Sequence, residues 1–348
     1  MTLILDPPAD LLPDVVDDGT RREFVVGGLS LGALLLAGCG DADSDSDGAA
    51  SAEDGFPITI THKYGSTRIP AQPQRVACVG YTEHESVLAL GVKPVLVREL
   101  SDYRYGFGPW AQDELGAATP AVMPSDSLKF EQIAATRPEL IIGTWSGMTE
   151  PEYRKLSRIA PTIAQSADYV DFGMPWEEQL RVIGRALGRA DSAASVAARI
   201  EARFVAARQE HRVFAGRSAM MASRRSNEDI FVMGPQDPRV RLVNTLGFKT
   251  PRLAGKGIGT YLSTERSRML EADVLLYFKF DAKQRDPLFE RLDVVRDGRT
   301  LVLPARSETF AAMGYSAPLS IPYVLDQLVP RLAAALDDDP ATKVAPVT

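Results

Sequence analysis

Seven residues of two chemical kinds fall at or just after the ends of predicted strands: Tyr81, Arg98, Trp145, Arg224, Arg225, Lys279 and Arg306. Aromatic faces and permanent cations in such places suit one kind of chemistry. They can hold a bulky anionic ligand with flat parts, by stacking and charge-assisted hydrogen bonds, without making or breaking a bond. Cations dominate in the second half of the chain. Arg104, within the aromatic and glycine-rich loop of residues 101–110, and Ser146, beside Trp145, join the same candidate wall. Taken singly, each arginine also reads as a solvated surface group; the shared location is what groups them.

That location depends on the elements that end there. Residues 129–145, KFEQIAATRPELIIGTW, read as a short helix, a proline stop and a strand. Phe130, Ile133 and Ala134 share a helical face, Pro138 ends the helix, and residues 140–142 form the apolar run of a strand covered on both sides. Residues 263–279, STERSRMLEADVLLYFK, repeat this in weaker form: Glu265 stands eight before Asp273, as Glu131 stands eight before Glu139. A second echo pairs VLALGVKPV, with Gly91, and LVNTLGFKTP, with Gly247. Strands alternate with helices throughout, which predicts an α/β fold of two doubly wound lobes. Between them, Val196, Ile200, Phe204 and Ala207 mark one face of a helix over residues 192–212, with Asp191 as its cap. At 1.5 Å per residue it is about 31 Å long, enough to join two lobes as a rigid spine.

The expected organisation is therefore a lobe over residues 56–175, linking helices over 176–215 and a second lobe over 216–340. Ahead of these, Arg21, Arg22 and Phe24 precede an uncharged run of 14 residues, 25–38, shorter than the roughly 20 a spanning helix needs. Arg-Arg-x-Phe resembles a twin-arginine export signal, and Leu36-Ala37-Gly38-Cys39 resembles a bacterial lipobox. By that resemblance residues 1–38 are a signal peptide and Cys39 becomes the lipid-bearing first residue. Residues 40–55 carry six acids and no apolar periodicity, so 39–55 is an expected disordered tether. The whole chain has a formal charge of −7, but the part after the tether has 34 acids against 37 bases. A domain near +3 is compatible with an anionic ligand and too weakly basic to argue for nucleic acid.

Enzyme and metal signatures are poorly represented. Gly28-Leu29-Ser30-Leu31-Gly32 has the nucleophile-elbow pattern but lies in the signal segment, and Gly255, Gly257 and Gly259 form no phosphate-binding fingerprint. The three histidines, His62, His84 and His211, are too scattered for a protein-held metal and read as structural. With Cys39 lipidated, Cys78 has no disulfide partner and reads as core.

IPAQPQRVACVGYTEHESVLALGVKPV, SLKFEQIAATRPELIIGTWSGMTEPEYRKLSRIAPTIA and the long linking helix that follows them resemble the ferric-siderophore and cobalamin substrate-binding proteins of ABC importers. The resemblance covers roughly residues 56–336. It implies a ligand cleft between two lobes joined by one rigid helix. It further implies a monomeric, lipid-anchored receptor on the extracytoplasmic face of the membrane, with a ferric siderophore as cargo and an ABC permease with its ATPase as partners. Glu131 and Glu265 match the family's pair of glutamates, one per lobe, that dock on permease arginines. Some hydroxamate binders carry an Arg and a Tyr where this chain has Ser125 and Thr149, which counts against a hydroxamate ligand; the basic second lobe leans toward catecholate, phenolate or carboxylate complexes. A haem or cobalamin receptor of the same fold, and a surface lipoprotein hydrolase, are the alternatives.

Overall fold

The computed structural model describes residues 55–100, 103, 106–224, 229–280, 287–305, 307–337, 339, 342 and 344–347. The predicted signal segment, the tether and Cys39 lie outside them. A hairpin, β1 (Ile58–His62) and β2 (Gly65–Ile69), opens the described chain. The first lobe then runs β3 (Val76–Cys78), α1 (Glu83–Ala89), β4 (Leu96–Arg98), α2 (Gln112–Leu115), β5 (Ala121–Met123), α3 (Phe130–Ala135), β6 (Leu140–Gly143), α4 (Glu150–Leu156) and β7 (Thr162–Ala164). Helices α5 (Trp176–Ala186) and α6 (Ala190–Glu210) follow. The second lobe comprises β8 (Ala219–Arg224), β9 (Ile230–Met233), α7 (Pro238–Thr245), β10 (Gly259–Leu262), a 3-10 segment (Thr264–Leu270), β11 (Val274–Lys279), α8 (Asp293–Arg296), β12 (Thr300–Pro304), α9 (Glu308–Tyr315) and α10 (Ser320–Ala335).

The first sheet has the order β5-β4-β3-β6-β7 and is parallel throughout. Its central strands are fully buried because helices cover both faces: Val76, Ala77, Cys78, Leu140, Ile141 and Ile142 have no exposed surface. Each aliphatic side chain so buried contributes about 2 kcal/mol. The second sheet has the order β10-β9-β8-β11-β12. Here β8, β11 and β12 are parallel, while β9 runs antiparallel to both of its neighbours. The reversal places the carboxyl end of β9 at the opposite edge from those of β8 and β11.

The sequence repeat has a physical counterpart at the start of the paired strands. One Glu139 carboxylate oxygen accepts the backbone N–H of Gln74 at 2.6 Å and of Arg75 at 3.3 Å, tying the segment before β6 to that before β3. Asp273 does the same between β11 and β8, accepting the Ser218 N–H at 2.7 Å and its hydroxyl at 2.7 Å, with Arg217 at 3.0 Å. The recurring acid therefore caps a strand start in each lobe. The two copies differ just before it, since α3 is an α-helix and the second copy is a 3-10 segment. Gly91 and Gly247, the second echo, both have positive φ, 76° and 107°, as helix-ending turns require.

The spine begins and ends two residues earlier than its pattern indicates. Its predicted stripe, Val196, Ile200, Phe204 and Ala207, is buried. Asp191 does not cap it; the cap position is Arg189 and Asp191 lies in the first turn. Helix α5 packs on α1 and β1 as well as on α6, and α10 packs on α6. No helix among the described residues is long and apolar enough to cross a membrane.

Candidate functional site

Three aromatic side chains converge at the carboxyl end of the first sheet. Tyr81 follows β3, Trp145 follows β6, and Phe172 comes from the loop before α5. Ring centroids are 6.3 Å apart for Tyr81 and Trp145, 5.1 Å for Trp145 and Phe172, and 6.4 Å for Tyr81 and Phe172. The Trp145 indole N–H donates to the Phe172 carbonyl at 2.8 Å, which leaves its ring, partly exposed, as the surface on offer. Phe172 holds φ at 64°, and Gly147, itself at φ 64°, lies flat against it: a Cβ on Gly147 would stand 2.5 Å from the Phe172 ring. Only glycine satisfies both demands there. The adjoining Gly173 faces the second lobe, where a Cβ would come within 3.5 Å of the Gln236 carbonyl. The aromatic wall thus borders the place where the lobes meet.

Behind Tyr81 lies the guanidinium of Arg98, 4.1 Å from the ring centroid. Its Nη2 donates to the Ser125 carbonyl at 2.7 Å, the same oxygen that accepts the Tyr81 hydroxyl at 3.0 Å. Arg98 is 6% exposed, and its Nε has no hydrogen-bond partner among the described residues. Burial lowers its pKa, against the pull of Tyr81 and Glu83; burial raises that of Tyr81, against the pull of Arg98. The carboxylate of Glu83 folds back onto the strand end, accepting the N–H of Gly80 at 2.9 Å and of Thr82 at 3.2 Å. Full burial pushes its pKa up to about 7, against those backbone bonds and Arg98. Tyr81 is therefore a fixed wall whose hydroxyl is turned inward.

In the second lobe, Arg224 and Lys279 are register partners at the carboxyl ends of β8 and β11, both partly buried. Lys279 is also paired with Pro304 on β12. These strand ends place two cations side by side on a backbone whose own groups are already paired. Nearby, Arg239 and Asp237 form a buried pair at 2.7 and 2.9 Å, with Arg239 5.3 Å from the Phe278 ring.

The structure therefore brings Tyr81 together with Trp145, and Arg224 with Lys279. Arg104, Arg225 and Arg306 lie outside the described residues. The Ser146 hydroxyl donates to the Gly143 carbonyl at 2.8 Å and accepts the Met148 N–H at 3.2 Å, so it closes the turn after β6. Thr149 caps α4 in a reciprocal pairing with Glu152. Glu131 and Glu265 are both exposed and both in the first turn of their segments. The histidines have structural surroundings. His62 accepts the Tyr64 N–H at its Nδ1 and meets Thr67 at 2.9 Å through Nε2, while His84 is fully buried and held neutral, with its pKa lowered to about 4 by burial. Phe172 was not singled out by the sequence, whereas Arg98, grouped there with the other strand-end cations, turns inward behind Tyr81 and is 6% exposed. An isolated aromatic in a Gly- and Pro-flanked loop was the available signal for Phe172.

Comparison with known proteins matches a family model described as periplasmic binding protein to residues 76–278, more than half of the chain. The chain is 25% identical over 264 residues to the probable siderophore-binding lipoprotein YfiY of Bacillus subtilis, covering 72% of this chain and 77% of that protein. A periplasmic solute binding protein from Mycobacterium smegmatis superposes with a TM-score of 0.72 at 31% identity, covering 80% of this chain and 98% of the other. PiaA of Streptococcus pneumoniae in complex with ferrichrome gives a TM-score of 0.70 at 24% identity, covering 80% and 99% of the two chains, a likeness of fold.

Proposed function

Because the chain belongs to the periplasmic binding protein family, we propose that it is the extracytoplasmic substrate-binding component of an ABC importer, capturing an Fe(III)-siderophore and delivering it to a membrane permease. The observation that carries this reading is the wall of Tyr81, Trp145 and Phe172, backed by Arg98, at the border between the lobes. A rigid aromatic surface of this kind stacks on flat chelating groups at little entropic cost, because its hydroxyl and indole donors are already bonded within the protein. Iron arrives as cargo, held by the siderophore, so the protein supplies orientation and charge. The Arg224–Lys279 pair supports an anionic complex, of the catecholate, phenolate or carboxylate kind.

Glu131 and Glu265 serve as the permease-docking pair, one per lobe. Their support is exposure together with equivalent placement in the first turn of the repeated segments. Cys39 carries the lipid that holds the receptor at the outer face of the membrane, after a twin-arginine signal has been removed. The lobes span residues 56–175 and 216–340.

The test is titration of the purified protein with ferrichrome, ferric staphyloferrin B, a ferric tris-catecholate complex, haem and cobalamin, read by tryptophan fluorescence. Saturable quenching by at least one ferric siderophore, reduced in Trp145→Phe, is expected. Tight haem or cobalamin binding with no siderophore response overturns the assignment.

A further inference from the structure

Glu85 lies on α1 of the first lobe with no exposed surface, and its partners come from far along the chain. One carboxylate oxygen accepts the Trp110 indole N–H at 2.6 Å; the other accepts the backbone N–H of Ser320 at 2.9 Å, 235 residues away. Ser320 opens α10, a 16-residue helix whose cap position, Leu319, has no polar side chain to offer. Glu85 therefore supplies from the first lobe the capping acceptor that the start of α10 lacks.

The surrounding contacts form a second joint between the lobes, separate from the spine. Leu319 packs with the first-lobe cluster of Leu88, Val97, Phe107, Ala111 and Leu115. The Tyr315 hydroxyl, at the end of α9, donates to the Gly106 carbonyl. The His84 ring lies 4.7 Å from Phe107 and 5.6 Å from Tyr315, and Trp110 lies 5.6 Å from Tyr315 and 5.4 Å from Tyr323. The chain leaving β12 thus enters the core of the first lobe before α10 returns along α6.

We propose that Glu85 pins an inter-lobe brace: by capping α10 from the first lobe it fixes the angle between the lobes, and with it the width of the cleft. It is a positioning residue for ligand retention, an assignment that rests on the capture reading above. The chemistry calls for a carboxyl group, both of whose oxygens accept. Two N–H donors converge on two oxygens, and a glutamine would turn its own NH2 toward one of them. A ligand gripped by both lobes escapes when they part, so loosening the brace raises the dissociation rate and leaves encounter nearly unchanged.

The test compares wild type, Glu85→Gln and Trp110→Phe, the last removing one donor while keeping a ring and so guarding against a variant that fails to fold. Spin labels attached through Arg154→Cys and Arg266→Cys, in a Cys39→Ser background, report the distance between lobes without ligand. A single narrow distribution in wild type, broadened in Glu85→Gln and to a smaller degree in Trp110→Phe, is expected. A merely structural role lowers the folded fraction and leaves the distribution of folded molecules unchanged, and that result overturns the proposal. With ferrichrome or ferric tris-catecholate as probe, whichever the wild type binds, Glu85→Gln should dissociate about tenfold faster with association within about twofold. Equal dissociation rates count against the brace. A wild type that binds no ferric siderophore refutes the capture reading, while the distance measurement still decides the brace.

Discussion

Lowering the pH should stabilise this protein, contrary to the usual behaviour of a chain rich in acids, because α1 buries two carboxylates. Glu83 and Glu85 both have no exposed surface, and desolvation raises each pKa from 4.5 to about 7. In the unfolded chain they ionise near their ordinary values. Between about pH 4.5 and 7 the folded state therefore binds more protons than the unfolded state, and stability falls as pH rises. A shift of this size corresponds to about 3 kcal/mol per group across the full window. His84 acts in the opposite direction. Its pKa is lowered to about 4 by burial, so the unfolded state binds its proton first and stability rises with pH through the ordinary histidine range. His62, lowered by burial, adds to that opposing trend. Two carboxylates outweigh one fully buried imidazole, leaving a net loss of about 3 kcal/mol from pH 5 to 8, trimmed by His62. Urea unfolding at fixed temperature, followed by tryptophan fluorescence at pH 5, 6.5 and 8, measures this. Glu85→Gln leaves Glu83 and His84 to cancel, so its profile flattens to within about 1 kcal/mol. His84→Leu removes the opposing group and steepens the decline. Wild-type stability that rises from pH 5 to 8 would refute the burial argument.

Other expectations concern the wall, the docking pair and a glycine. Trp145→Ala should weaken ferric-siderophore affinity by about three- to tenfold, the worth of one aromatic contact, as calorimetry would show, and should also lower stability because its ring packing and its bond to the Phe172 carbonyl are lost. Glu131→Ala with Glu265→Ala should abolish siderophore-dependent growth while affinity stays at the wild-type value; unaltered growth would remove the docking role. Gly147→Ala forces a Cβ to 2.5 Å from the Phe172 ring at φ 64°, and should cost about 1–3 kcal/mol of stability together with a change in the Trp145 emission.

Much of the scaffold was legible because its elements announce themselves through burial on both faces. The apolar run of residues 140–142, read as a strand covered on both sides, lies in β6 and is fully buried. The elements that escaped are those whose environment contradicts their pattern. Every residue of α9 after Glu308 is buried, so it has no amphipathic period to detect. β10 is a four-residue antiparallel edge strand that opens on glycine, with only Leu262 buried. β5 is three residues long. Position after a strand grouped Tyr81 with Trp145 and Arg224 with Lys279, and the structure places the members of each pair beside one another. The turn bonds of the Ser146 hydroxyl were not legible, because a hydroxyl beside an aromatic says nothing about whether a turn has already claimed it. Burial of Glu83 and Glu85 is a property of the tertiary contacts of α1, and sequence alone shows them as ordinary acids at a helix start.

On the proposed function, the cleft grips a chelated metal and releases it unchanged. Native mass spectrometry of the purified protein, after incubation with an equimolar mixture of ferric siderophores, haem and cobalamin, addresses it most directly. One intact ferric siderophore per chain, retained in wild type and depleted in Trp145→Ala, is the predicted spectrum. Exclusive retention of haem or cobalamin, or recovery of a cleaved siderophore, would contradict it.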